Sequence, residues 1–82
     1  MDVKEKVIQI LSDVTDKEYK KIFYDGMPVD TKLQLLTSES MLALIFITSI
    51  EDEFGIEFED DEVDMTFFNS IEGVAQKIQK YL

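Results

Sequence analysis

Apolar residues recur three and four positions apart at the beginning of the chain. They are Val3, Val7, Ile10, Leu11 and Val14. Because positions with this spacing lie on one face of a helix, the pattern predicts an amphipathic first helix over residues 2–12. Thr15 and Glu18 then form a capping-box pattern, which predicts a second, short helix over residues 16–24. The apolar face of that helix would carry Tyr19, Ile22 and Phe23.

A turn signal follows the predicted second helix. Gly26 and Pro28 stand close together, and Pro28 is the only proline of the chain. After this turn signal we expect residues 26–38 to form a long first loop. The apolar residues that would anchor this loop onto the helices are Val29, Leu33, Leu35 and Leu36.

The strongest helical pattern begins at Glu39 or Ser40 and ends at Phe54. Ser38 or Thr37 is the expected N-cap, and Gly55 suits the left-handed position after the helix. A stripe of apolar residues should face the core, with Leu42 and Leu44 at its flanks. The stripe consists of Ala43, Phe46, Ile47, Ile50 and Phe54.

The last third of the chain predicts short connections and one final helix. Residues 56–58 should be extended, residues 59–64 should form a solvated acidic loop, and residues 66–68 should form one short helical turn that places an aromatic side chain in the core. Asn69 and Glu72 form a capping box, which predicts a helix over residues 70–81. Its buried stripe would be Ile71, Val74, Ala75, Ile78 and Leu82.

Together these elements predict an all-α fold, a small antiparallel bundle of three main helices plus one or two short helices, with a long first loop. We expect residues 1–82 to form a single domain. The longest apolar run, residues 41–47, is far shorter than the roughly 20 residues of a membrane span, and the N-terminus does not resemble a signal peptide. We therefore expect a cytoplasmic protein without membrane insertion.

Charge and composition narrow the classes of function. The net charge is −10, from 18 acidic and 8 basic residues, and residues 33–76 contain no Lys or Arg. Such a chain should avoid nucleic acid and favour basic protein surfaces. It contains no Cys, His or Arg, so no nucleophile–base pair can be proposed and we expect no catalytic residue and no enzyme activity. The acidic run lacks the glycine of a calcium loop, so we expect no metal site.

Residues 39–58 carry the most specific motif, and their sequence is ESMLALIFITSIEDEFGIEF. The segment resembles the modification segment of acyl and peptidyl carrier proteins, in which Asp-Ser-Leu, a helix and Glu-Glu-Phe-Gly-Ile-Glu follow one another. The resemblance extends over residues 3–82. It implies a freestanding carrier whose Ser40 bears a covalent 4′-phosphopantetheine arm derived from coenzyme A. The chain differs from the family pattern in having Glu39 where Asp is preferred and Met41 where Leu is usual.

The resemblance also implies partners. Glu39 and Met41 would flank the serine that a phosphopantetheinyl transferase recognises. An acyl- or aminoacyl-loading ligase and downstream synthase or transferase enzymes of fatty acid, polyketide or nonribosomal peptide biosynthesis would then dock on a helical face. That face would consist of Met41, Ile45, Thr48, Glu51 and Asp52. We expect a monomer that carries an acyl or aminoacyl group as a thioester on the arm.

Two questions stay open from the sequence alone. Met41 and Ile45 fit the core as well as an exposed docking face, and exposure would make docking more hydrophobic than is usual for fatty-acid carriers. Ser40 could also be only a residue at a helix start. The chain would then be an unmodified acidic helical adaptor with a carrier-like fold that binds a basic protein partner.

Overall fold

The first helix, α1, forms the centre of the structure. The computed structural model describes residues 2–16 and 26–82, with Met65 by its backbone alone. Helix α1 spans Val3–Asp16 and buries four of the five residues of the predicted stripe, with Val3 half-buried. It packs against each of the other three α-helices found in the described residues. It is longer than predicted because Val14 and Thr15, which are both buried, extend its apolar face by one turn.

Thr15 is therefore not the N-cap of a second helix, as the capping-box pattern predicted. Its hydroxyl donates to the backbone carbonyl of Leu11 at 2.9 Å, within α1. A helical hydroxyl that bonds back to the preceding turn satisfies its own polarity inside the core. The predicted helix over residues 16–24 otherwise lies outside the described residues.

The predicted long loop contains a helix, α2, over Val29–Leu35, and a 3₁₀ helix, Leu36–Ser38, that follows it directly. Leu33 and Leu36 are fully buried, as the anchoring role required. Contacts with distant parts of the chain hold α2 in place. The Asp30 carboxylate accepts a hydrogen bond from the Ile71 N–H at 2.9 Å, and the Gln34 amide donates to the Asn69 carbonyl at 2.9 Å.

The longest helix, α3, spans Ser40–Phe54 and ends at Gly55, whose φ of 66° is left-handed as predicted. Lys6 near the start of α1 pairs with Glu53 near the end of α3 at 3.3 Å, which shows that the two helices run antiparallel. The most deeply buried residues of α3 are Leu42, Phe46 and Ile50. The predicted stripe is thus rotated. Its other members lie half-buried at the edge of the core, namely Ala43, Ile47 and Phe54.

The connection from α3 to the last helix contains two 3₁₀ turns. The acidic turn, Asp60–Glu62, follows an extended segment that includes the buried Phe58, and the aromatic turn, Met65–Phe68, buries both Phe67 and Phe68. The predicted short turn with a buried aromatic residue is confirmed. These rings stack edge to face, with 5.2 Å between the centroids of Phe58 and Phe67 and 5.1 Å between those of Phe67 and Phe68.

The last helix, α4, spans Ile71–Gln79 and is shorter than predicted. Its N-cap is Ser70, whose hydroxyl accepts from the Gly73 N–H at 3.0 Å, so the prediction that Asn69 caps the helix is wrong by one residue. Four of the five predicted stripe residues are buried, namely Ile71, Val74, Ala75 and Ile78. Leu82 is 70% exposed, because the helix ends three residues before it.

The described residues form an all-α bundle, as the sequence predicted. Three main helices, α1, α3 and α4, enclose one continuous core, and α2 is the additional short helix. The arrangement leaves the start of α3 at the surface, directly after the 3₁₀ helix Leu36–Ser38.

Candidate functional site

Ser40 is the first residue of α3, and its side chain is exposed. The two preceding hydroxyls bond locally: that of Ser38 donates to the Leu35 carbonyl at 2.9 Å, and that of Thr37 donates to the Gln34 carbonyl at 2.7 Å. Neither residue is the N-cap of α3, contrary to the prediction. Of these three neighbouring hydroxyls, Ser40 is the one without a partner among the described residues.

The residue in the N-cap position of α3 is Glu39, which is half-buried. Its side chain makes no capping hydrogen bond to the helix. The first turn of an α-helix contains backbone N–H groups that lack a partner within the helix, and the positive end of the helix dipole lies there. A phosphate attached to the Ser40 hydroxyl would therefore lie where an anion is stabilised.

The predicted docking residues do not belong to the core. Met41 is 76% exposed and Ile45 is 45% exposed, and Leu44 between them is 62% exposed. The prediction that Leu44 merely flanks the core stripe is wrong. Thr48 continues this face by one turn, with its hydroxyl bonded to the Leu44 and Ile45 carbonyls at 3.0 and 3.1 Å. We call Met41, Leu44, Ile45 and Thr48 the exposed face of α3.

The two acidic residues predicted to bind partners have different environments. Asp52 is exposed one turn beyond Thr48. Glu51 is half-buried, and its carboxylate accepts a hydrogen bond from the Phe58 N–H at 2.8 Å. Glu51 therefore fixes the extended segment that leaves α3, which is a structural contact that its sequence position did not indicate.

An open groove of about 440 Å³ begins at Ser40 and was not predicted. One wall is α3, through Ala43, Leu44 and Ile47, and the opposite wall carries Val63, Asp64 and Phe68. The groove falls within the size range of small-molecule sites, roughly 300–1,000 Å³, and its lining is mainly apolar. We call it the Ser40 groove. Its walls come from segments about twenty residues apart, so no local sequence pattern could have found it.

Asp64 provides a negative charge at the edge of the Ser40 groove. The Thr66 hydroxyl donates to its carboxylate at 2.5 Å, and the Thr66 and Phe67 N–H groups donate at 3.0 and 3.2 Å. The first of these bonds is the main cause that lowers the pKa of Asp64 below its ordinary value, with the backbone bonds contributing further. Asp64 is thus ionised at neutral pH and acts as the N-cap of the aromatic turn.

Other kinds of site find no support in the described residues. Within residues 2–16 and 26–82, the acidic side chains are not grouped so that three of them could hold a metal ion. No helix in the same part of the chain combines the length and the apolar character needed to cross a membrane.

The comparisons with known proteins identify no family for this chain. A scan against protein-family models, a search of curated proteins and a search of solved structures each found no match.

Proposed function

We propose that this protein is a freestanding carrier that holds an acyl or aminoacyl group as a thioester on a 4′-phosphopantetheine arm attached to Ser40. One observation carries the proposal: the Ser40 hydroxyl is exposed at the first position of α3, beside an exposed apolar helix face. The resemblance of residues 39–58 to the carrier modification segment supports it. The proposal places the protein in the cytoplasm, where biosynthetic enzymes would load and unload it.

The attachment step needs only a hydroxyl from this chain. The Ser40 oxygen forms a phosphodiester bond with the phosphopantetheine half of coenzyme A, and the adenosine bisphosphate half leaves. The transferase accepts the hydroxyl proton, so the carrier needs no base of its own. The thiol that later bears the cargo belongs to the arm, which is consistent with a chain that contains no cysteine. Tethering then raises the concentration of the cargo near each partner enzyme.

The exposed face of α3 is the proposed docking surface for the transferase and the later enzymes. This face contains no charged residue, and the nearest exposed acidic residue along α3 is Asp52. Docking should therefore depend mainly on apolar contact with the partner and less on salt concentration. An enzyme surface with an apolar centre and a basic rim would complement both this face and the net charge of −10.

The test of attachment uses the purified protein, coenzyme A and a phosphopantetheinyl transferase of broad specificity. Intact-mass spectrometry should show the gain of one phosphopantetheine group. Ser40→Ala should abolish the gain, whereas Ser38→Ala should retain it, because the Ser38 hydroxyl only donates to the Leu35 carbonyl. An unchanged mass for the folded wild-type protein would contradict the proposal.

The same reaction tests the docking surface. Ile45→Ser should lower kcat/KM of the transferase several-fold, since it removes an exposed apolar contact. Leu82→Ser is the matched control, because Leu82 is also an exposed apolar residue but lies after α4. Equal rates for the two variants would contradict the assignment of docking to the exposed face of α3.

A second function uses the same face without modification. As an acidic adaptor, the chain would bind a basic partner through the exposed face of α3. Apolar contact through this face does not require a phosphopantetheine arm on Ser40. In that case Ser40→Ala would leave partner binding and cellular function intact. Loss of function in Ser40→Ala, with the fold retained by circular dichroism, would exclude the adaptor.

A further inference from the structure

The acidic turn, Asp60–Glu62, is held in place by polar contacts. None of its three residues is buried. Glu59 and Glu62 form a capping box, in which the Glu62 carboxylate accepts from the Glu59 N–H at 3.3 Å. The residue that follows this turn, Val63, lines the Ser40 groove opposite α3. The position of Val63 in this wall therefore depends in part on a turn whose three residues are all acidic.

The contact that ties this turn to the rest of the bundle comes from the end of the chain. The Tyr81 hydroxyl donates to the Glu62 carboxylate and accepts from the Glu59 N–H at 3.4 Å. The Tyr81 ring packs edge to face on the buried Phe58, with 5.6 Å between the centroids. The ring thus anchors Tyr81 to the core, while its hydroxyl reaches the turn. Lys80 adds a longer ion pair to Glu62 at 3.9 Å.

We propose that the Tyr81 hydroxyl is a latch that limits how far the Ser40 groove opens. While the Tyr81 hydroxyl donates to the Glu62 carboxylate, the acidic turn stays in place and Val63 stays half-buried against the core. Without this hydrogen bond, the polar contacts that remain are the internal capping box and the longer ion pair with Lys80, and Val63 is held only by its own partial packing on the core. Val63 can then move away from α3 more easily. Segments with few buried apolar contacts are those that open locally at low free-energy cost. This proposal concerns the unmodified fold and does not rest on the proposed function.

The absence of cysteine in the chain allows a direct test. Val63→Cys places a single thiol on the groove wall, and its rate of labelling by an excess of a thiol reagent reports opening of the turn. Thr48→Cys places a single thiol on α3 as the matched control, because Thr48 is exposed and does not line the groove. Each cysteine is then combined with Tyr81→Phe, which keeps the ring on Phe58 and removes only the hydroxyl.

The latch predicts that Tyr81→Phe accelerates labelling at position 63 about fivefold, the equivalent of losing one ordinary hydrogen bond, because the Glu59 N–H keeps its bond to the Glu62 carboxylate. Labelling at position 48 should be unchanged. Glu62→Ala should reproduce the acceleration, and Glu62→Gln should show less of it, because the amide oxygen can still accept from Tyr81 and Glu59. An unchanged rate at position 63 would overturn the latch. An equal acceleration at both positions would overturn it too, since it would indicate global destabilisation.

Amide hydrogen exchange provides a readout that needs no cysteine. In Tyr81→Phe the amides of Glu62 and Val63, which donate to the Glu59 and Asp60 carbonyls, should exchange several-fold faster, while those of α1 should keep their wild-type rates. Faster exchange in α1 as well would contradict a local latch. Failure of the transferase reaction at Ser40 would leave both measurements unaffected, so the two proposals can fail independently.

Discussion

The bond between Asp30 and Ile71 provides the sharpest test of how this fold is held together. Asp30 lies in α2, and Ile71 is the first residue of α4, 41 positions later. The Asp30 carboxylate accepts from the Ile71 N–H at 2.9 Å, and Ile71 itself is 2% exposed. Removing the acceptor would leave one of the unpaired N–H groups at the start of α4 without a partner in a partly buried position.

Two related cases give the expected loss in the free energy of unfolding for Asp30→Ala. Loss of a side-chain acceptor at a helix start costs about 0.5–2 kcal/mol, and leaving a buried donor unpaired costs about 1–3 kcal/mol. We take about 1.5 kcal/mol for Asp30→Ala, where these ranges overlap. Since 1 kcal/mol shifts the melting temperature of a domain of this size by about 4–8 °C, Asp30→Ala should melt about 6–12 °C below wild type.

Thermal unfolding followed by far-UV circular dichroism at physiological salt measures this shift. Asp30→Asn keeps an oxygen acceptor and should lose less than half as much stability. Thr31→Ala is the control for a side-chain truncation in α2, because Thr31 is exposed, and it should melt close to wild type. A melting temperature of Asp30→Ala within the error of that of Thr31→Ala would refute a stabilising role for this bond. Equal destabilisation of Asp30→Asn and Asp30→Ala would refute the role of the side-chain oxygen as acceptor.

Three further predictions concern stability and charge. The pKa of Asp64 is lowered in the folded state, so its ionisation stabilises the fold above about pH 3.8 and this contribution is lost as the pH falls through the lower folded value. Asp64→Asn keeps an acceptor but cannot ionise. The difference in melting temperature between wild type and Asp64→Asn should therefore become smaller as the pH falls below 3.8, and a constant difference would contradict this. Phe67 is fully buried between Phe58 and Phe68, so Phe67→Ala should cost about 3–5 kcal/mol and lower the melting temperature by more than about 10 °C, whereas Leu82→Ala should melt like wild type. Because crowded carboxylates repel one another, added salt or millimolar magnesium should raise the melting temperature, and a fall with magnesium would count against this.

The sequence predicted those elements whose stability is local. The apolar stripes of α1 and α4 repeat at helical spacing, and the left-handed Gly55 ends α3 as expected. We did not predict α2, a helix of seven residues, and expected a loop in its place. Val29, Leu33 and Leu36 do recur at helical spacing, but so short a helix is marginal by itself. Its support comes from contacts 35 and 41 residues away along the chain.

The sequence predicted only those parts of the candidate site that depend on local structure. The position of Ser40 at the start of α3 follows from the apolar run after it, so the sequence was sufficient. The helical period did not decide which side of α3 faces the core, because apolar residues surround the helix: Leu42 is buried and Leu44 is exposed. The Ser40 groove and the Tyr81 latch depend on tertiary contacts between separate segments and had no signal in the sequence.

The central claim is that the hydroxyl at the start of α3 bears a phosphopantetheine arm in the cell. The most direct measurement is peptide mass spectrometry of the protein purified from its own cells. We predict that the peptide containing Ser40 carries one phosphopantetheine group, alone or with a thioester-linked cargo, and that fragmentation assigns the group to Ser40. A peptide that is always unmodified, from a protein that also stays unmodified with a transferase of broad specificity, would contradict the carrier function.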